Sequence, residues 1–214
     1  MIVLALDGAF GAFSAAIARD DRILASHREP GAVALELGLS TVEAILTRGG
    51  VRAEQIDRLA VGIGPGSFTG LRIAIAYAKA LAAVWRRPLV PIDSFDLLEF
   101  GGRFECVLAV VVGRPGVISA RYRSGSEQRR ASGRTADVLA DLRPPPGRLD
   151  VVGAPEDVLH ALAERGIIVR PIDPTVLPAA AAAALAASQR TPPKSMHEVR
   201  ADYGELPAAR MPKV

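Results

Sequence analysis

Residues 62–72 read GIGPGSFTGLR, four glycines and a proline set between an apolar strand pattern, RLAVGIG at 58–64, and an Ala-rich helical pattern over 68–85. A phosphate-binding Walker loop needs a lysine after its last glycine to reach a β- or γ-phosphate, and Leu71 and Arg72 stand there instead. A hydrolase elbow needs G-x-S-x-G, whereas Gly66 directly precedes Ser67 and Gly70 follows it by three. Gly64, Gly66 and Gly70 permit unusual backbone angles and close approach, and Ser67 or Thr69 can cap the open amides of a helix start. The stretch Gly64, Pro65, Gly66, Ser67, Phe68, Thr69 and Gly70 therefore reads as a rigid strand-to-helix connector.

Downstream of the connector, Gly70, Ala74, Ala78 and Ala82 recur every four residues, a stripe of small side chains on one helical face. Such a stripe allows a close backbone approach, either to the protein's own sheet or to another subunit. Upstream, IVLALD at 2–7, FSAAIARD at 13–20 and RILASHRE at 22–29 read as an antiparallel meander. Leu35, Leu39, Val42, Ile45 and Leu46 share a face of a helix over 33–48, stopped by Gly49-Gly50. With PLVPID at 88–93 the order is three strands, helix, strand, helix, strand, which predicts a mixed sheet covered by helices.

After residue 100 the pattern restarts, less completely. CVLAVVVG and VISARYRS predict a hairpin, TADVLADL a helix, RLDVVGA a strand, EDVLHALAERG a helix with Gly166 as its C-cap, IIVRPI a strand and VLPAAAAAALAASQ a last helix. The tail, with Pro192, Pro193, Pro207 and Pro212, predicts irregular chain. The expected fold is α/β in two lobes, 1–100 and a smaller, degenerate 101–214.

The composition narrows the class. Half of the 214 residues are apolar but only 5% aromatic, as suits Ala-lined helix packing. No apolar run reaches the roughly 18–20 residues of a membrane span, and the start, MIVLALD, lacks a basic leader, so a soluble cytoplasmic protein is expected. One cysteine, Cys106, and three scattered histidines exclude a disulfide framework and predict no metal set; Cys106 itself reads as a buried structural thiol. The net charge is +3. Arg121, Arg123, Arg129, Arg130 and Arg134 crowd a stretch with a single acid, Glu127, read as a solvated basic hairpin or a phosphate-contacting patch.

Asp7 ends the first strand and Gly8 follows, the place where nucleotide-binding proteins of the actin, hexokinase and Hsp70 type put a metal-linked aspartate and a phosphate-binding turn. Here no side-chain hydroxyl follows until Ser14. Taken together, IVLALD, LAVGIGPGSFTGLRIAIAYAKALA and PLVPIDSFDLL resemble the TsaB (YeaZ) family, a subunit of the machinery that makes threonylcarbamoyladenosine on tRNA. The match is specific over 58–98, looser over 1–100, and carried by element order beyond.

The resemblance implies the two-lobed actin-like ATPase (ASKHA, ribonuclease H-like) fold and a noncatalytic role without cofactor or metal. It implies a TsaD-type paralogue that transfers threonylcarbamoyl to adenosine 37 of tRNA, a TsaE-type ATPase in the same complex, contact with tRNA only through that complex, and a homodimer when alone. Family members pair through their first two helices, which puts the interface at Leu35, Leu39, Val42, Leu46, Gly70, Ala74, Ala78 and Ala82. Asp7 and Gly8 would then be a degenerate nucleotide turn, since the family's Asp-Thr-Ser is Asp7-Gly8-Ala9 here. The family's His-Ser at the first helix is Ala34-Leu35, and its Gly-Glu-Val-Tyr-like segment is Gly113-Arg114-Pro115-Gly116-Val117. The competing readings are a small actin-fold ATPase or kinase using Asp7, a hydrolase, and an RNA-binding module using Arg121 to Arg134.

Overall fold

The structure is a computed structural model that describes residues 1–30, 34–172, 177–187 and 190–204. Each half of the chain builds one five-stranded sheet. The first contains β1 (Ile2–Asp7), β2 (Ala12–Arg19), β3 (Arg22–Pro30), β4 (Arg58–Gly64) and β5 (Leu89–Asp93), in the order β3-β2-β1-β4-β5. The second contains β6 (Cys106–Arg114), β7 (Val117–Ser124), β8 (Glu127–Arg134), β9 (Gly147–Val152) and β10 (Ile167–Ile172), in the order β10-β9-β6-β7-β8. Counted within each half, both orders are third-second-first-fourth-fifth. The first three strands of each are antiparallel and the remaining pairs parallel.

The repeat is thus complete at the level of strands, where the sequence predicts a shorter second lobe. The strand that escapes sequence reading is β8, EQRRASGR, which the charge pattern assigns to a basic hairpin. It is an edge strand, exposed at every second position and without an apolar face strong enough to announce it.

Helices α1 (Ala34–Gly49) and α2 (Phe68–Trp85) cover one face of the first sheet. α1 ends at Gly50 in the left-handed region, with Val51 N–H returning to Leu46 C=O, as Gly49-Gly50 predicts. On β1, Leu4 and Leu6 point to these helices, while Val3 and Ala5 point to the opposite face. A short α3 (Ser94–Leu98), not predicted, follows β5; Asp93 caps it through Phe95 N–H at 2.8 Å. α4 (Thr135–Leu142) and α5 (Glu156–Glu164) cover the second sheet, and Gly166 stops α5 in the left-handed region as expected.

The last helix, α6 (Pro178–Ala187), packs not on its own half but on β1, β2 and β4. Its alanines meet an alanine-lined face, Ala5, Ala16, Ala18 and Ala60, and small side chains on both sides let helix and sheet close up. Ser14 Oγ accepts from Ala179 N–H at 3.3 Å at its start. A boundary at residue 100 therefore separates the two sheets but not their covering helices. Residues 190–204 are irregular apart from one 3-10 turn, Met196–Glu198, yet they pack back: Val199 is buried and Asp202 N–H donates to Ile63 C=O at 2.7 Å.

α2 has 18 residues and a mean hydropathy of 1.3, long and apolar enough by composition to cross a membrane. The sequence reading expects no run of that length, but the fold uses this one as a layer on the sheet: Leu71, Ala74, Ile75, Ala78 and Ala82 face inward.

Candidate partner-binding site

The connector folds as predicted, and the structure shows what its glycines serve. Ser67 caps α2, its Oγ accepting from Gly70 N–H at 3.3 Å. The start of α2 then lies against the β1–β2 turn with backbone on backbone. A Cβ on Gly70 would overlap the Gly8 carbonyl oxygen, a Cβ on Gly8 would overlap that of Gly70, and a Cβ on Gly66 would run into Ala9. Ser67 N–H donates to Ala9 C=O at 2.8 Å, tying the two loops together. Asp7-Gly8-Ala9 and Gly64 to Gly70, two motifs some sixty residues apart in sequence, form one closed joint.

Asp7 lies inside that joint, fully buried. Its Oδ1 accepts from Ala9 N–H at 3.1 Å, and its Oδ2 has no hydrogen-bond partner. The carboxyl fits because the residue beside it on β4 is Gly62, where any Cβ would overlap Oδ2. Burial raises its pKa from 3.8 to about 7, against the lowering effect of the Ala9 N–H. Gly62 plays no part in the sequence prediction, although it lies within the quoted stretch. Among the described residues no group of three or more His, Cys, Asp or Glu could hold a metal ion.

The predicted interface residues divide into two sets. Ala74, Ala78 and Ala82 are 0%, 0% and 2% exposed and Val42 is 3% exposed, all within the core beneath α1 and α2. These four cannot touch a partner as they stand; the four-residue stripe is the inner face of α2. Gly70 is half-buried against Gly8, and Leu46 packs at the core margin. Leu39 is 53% exposed, and Leu37 beside it 39%. Leu35 lies on α1, but its side chain falls outside the described residues.

The outward face of α2 is a different set: Thr69, Arg72, Ala76, Ala80, Ala83 and Val84, all exposed, Val84 at 77%. Apart from Arg72 it carries no charge. α1 lies alongside, where Gly38 leaves room for the Tyr77 ring of α2. Phe68 at the start of α2 is 54% exposed and meets Tyr203 at 4.8 Å between ring centroids.

The basic stretch is not a solvated hairpin. Arg121, 4% exposed, donates to Asp96 at 2.7 Å and to Glu99 at 3.1 Å; Arg123 donates to Glu99 at 2.9 Å and Arg130 to Asp93 at 2.7 Å. Arg190 also bonds Asp96, and Arg121 and Arg130 each lie 5.3 Å from the centre of the Phe95 ring. Asp93 and Glu99 cap α3 of the first half and Asp96 lies within it, while Arg121, Arg123 and Arg130 lie on β7 and β8, so the cluster clamps the lobes together. Burial opposes ionisation of Asp96, but hydrogen bonds and charge from Arg121 and Arg190 hold its carboxyl below the usual range. Arg129 pairs with Glu127 at 3.1 Å and lies over Tyr122. Cys106 is half-buried, its Sγ 3.3 Å from Tyr122 Oη.

Two sheets of one strand order, each opening with an antiparallel meander and joined through α3, define a two-lobed protein of the actin-like ATPase fold. The model of the family described as "TsaD: tRNA N6-adenosine threonylcarbamoyltransferase" matches residues 35–172. With that match and the relatives below, the chain belongs to the TsaD-related family of tRNA threonylcarbamoyladenosine proteins, with its TsaB (YeaZ) members. It is 36% identical over 101 residues to the tRNA threonylcarbamoyladenosine biosynthesis protein TsaB of Escherichia coli, covering 47% of this chain and 44% of that one. An uncharacterised protein of Mycobacterium tuberculosis is 33% identical over 158 residues, 72% of each chain. YeaZ from Pseudomonas aeruginosa superposes with a TM-score of 0.63 at 27% identity, over 86% of this chain and 90% of that one. The chain spans 31% to 44% of the length of the threonylcarbamoyltransferase and E. coli TsaB relatives that it matches.

Proposed function

We propose that the protein is a noncatalytic scaffold subunit that binds a TsaD-type paralogue and supports threonylcarbamoyl transfer to adenosine 37 of tRNA. The observation that carries this is the outer face of α2: an 18-residue helix with mean hydropathy 1.3 whose Ala76, Ala80, Ala83 and Val84 face solvent beside Leu37 and Leu39 of α1. Small side chains without charge let a second helix pair approach closely, the geometry of a helical bundle. Membership of the TsaB family supports the choice of partner. A homodimer through the same face would cover it when the paralogue is absent, and a TsaE-type ATPase would join the assembled pair. A cytoplasmic location goes with this role.

The reading of Asp7 as the carboxylate of a small ATPase or kinase is less well supported. The turn that would cradle phosphates is packed against the start of α2, and the Ala9 N–H is already given to Asp7. An RNA-binding role for Arg121 to Arg134 is weakened by the carboxylates that take Arg121, Arg123 and Arg130.

The test is Ala80→Arg, exposed at mid-face, mixed with the TsaD-type paralogue of the same organism and followed by sedimentation. Association should fall by at least tenfold, about 1.4 kcal/mol, with the circular dichroism unchanged. Association at parental strength by a folded variant removes the outer α2 face from the interface.

A further inference from the structure

On the flank of α2 away from α1, a groove of about 460 Å³ runs between the helix and the returning segment 199–203. Its floor is aliphatic, with Ile75, Ala76 and Val199, and its rim carries Arg72, Lys79 and Arg200 with no acid in the lining. Among the described residues these three cations have no carboxylate partner, unlike the arginines that are ion-paired. Arg121, Arg123, Arg129, Arg130, Arg170 and Arg190 each sit against a carboxylate. Among the described residues, Arg72 has only the Phe68 ring, 5.2 Å away, and Lys79 and Arg200 make no side-chain hydrogen bond or ion pair.

We propose that this groove docks an acidic segment of a partner protein, one that lays an apolar side chain over the exposed Ala76 and turns carboxylates toward Arg72, Lys79 and Arg200. Three like charges around one groove repel one another, and a carboxylate-bearing segment removes that repulsion while covering Ala76. Arginine offers a carboxylate two parallel donors, so Arg72 and Arg200 fix the segment's direction as well as its charge. Protein is favoured over RNA because bases need free ring faces, and the aromatic that lines the groove, Tyr203, is already packed against the Phe68 ring. The groove borders the outer face of α2 and shares Arg72 and Ala76 with it, but its chemistry is set by Lys79 and Arg200 as well.

The probe is a short fluorescein-labelled peptide of alternating glutamate and leucine pairs, followed by fluorescence anisotropy. Its lysine–leucine counterpart and an oligouridylate of the same length serve as comparisons. The acidic peptide should bind, weaken as salt rises, and lose at least about tenfold in affinity on the variant R72E/K79E/R200E. Arg72 and Arg200 are exposed and Lys79 is half-exposed, so the fold should survive; Lys79→Glu alone gives the same comparison if it does not. No binding of the acidic peptide, or equal binding by parent and variant, overturns the proposal. Tighter binding of oligouridylate that disappears in the variant also overturns it and gives the groove to RNA. Paralogue association of Ala80→Arg is read separately. Lost association there with no peptide binding by the parent removes the groove alone; retained association with charge-dependent peptide binding removes the outer-face reading alone.

Discussion

At Asp7, burial works against ionisation, and the carboxyl with a pKa of about 7 costs stability as it is forced to charge. In the unfolded chain the group titrates near 3.8, so below that pH both states are protonated and nothing is lost. As pH rises from about 4 through 7, the unfolded state releases its proton and the folded state resists, and the fold loses about 4 kcal/mol from this one group. Asp7→Asn removes the titration and retains an acceptor for Ala9 N–H. Its stability relative to the parent, from urea denaturation at a series of pH values, should climb between pH 4 and 7.5; a constant difference would show that Asp7 titrates normally. Gly70 gives a steric counterpart. Gly70→Ala places a methyl on the Gly8 carbonyl and should cost about 1–3 kcal/mol, whereas Gly113→Ala, with open space around the added carbon, should cost less than about 1 kcal/mol in the same denaturation experiment. The glycines of the connector are legible in sequence as a need for close approach. What they approach is not, because Gly8 lies more than sixty residues away.

Among the elements, α2 shows most sharply how far a pattern carries. Its limits follow from Phe68 to Trp85 as the sequence predicts, but alanines line both sides, Ala74, Ala78 and Ala82 inside and Ala76, Ala80 and Ala83 outside. The contrast between apolar and polar faces that normally tells inside from outside is missing, so the sequence alone cannot orient the stripe. Two substitutions separate the faces. Ala78→Arg should destabilise the protein by more than about 3 kcal/mol, since it buries an unpaired charge in the core, and Ala80→Arg should change the thermal midpoint little. β8 is hidden for another reason: most of its residues are exposed, and its Arg130 pairs with Asp93, the cap of a helix in the other half of the chain.

In the whole molecule, the lobes are held by charge as well as by apolar contact. Arg121 is the centre of the clamp, and Arg121→Met would leave Asp96 to Arg190 and Glu99 to Arg123 alone, at a cost of about 1.5–3 kcal/mol for the charged hydrogen bonds lost. Guanidinium is itself a salt that screens such pairs, so urea is the proper denaturant; Arg148→Met, at an exposed site, should shift the curve by less than about 0.5 kcal/mol. The α/β class, the two sheets and most strand positions are legible because each sheet's central strands are short apolar runs between turns. The crossing of α6 to the first sheet is not, since a run of alanines suits any alanine-lined face. That crossing also governs the order of events during synthesis. β5 ends at residue 93 and α6 at 187, so on a ribosome adding about 5–20 residues per second the first sheet waits roughly 5–20 seconds with one face bare. Its alanines, Ala5, Ala16, Ala18 and Ala60, lessen what passing chains can stick to, while Val3, Val90 and Ile92 stay uncovered until α6 is made.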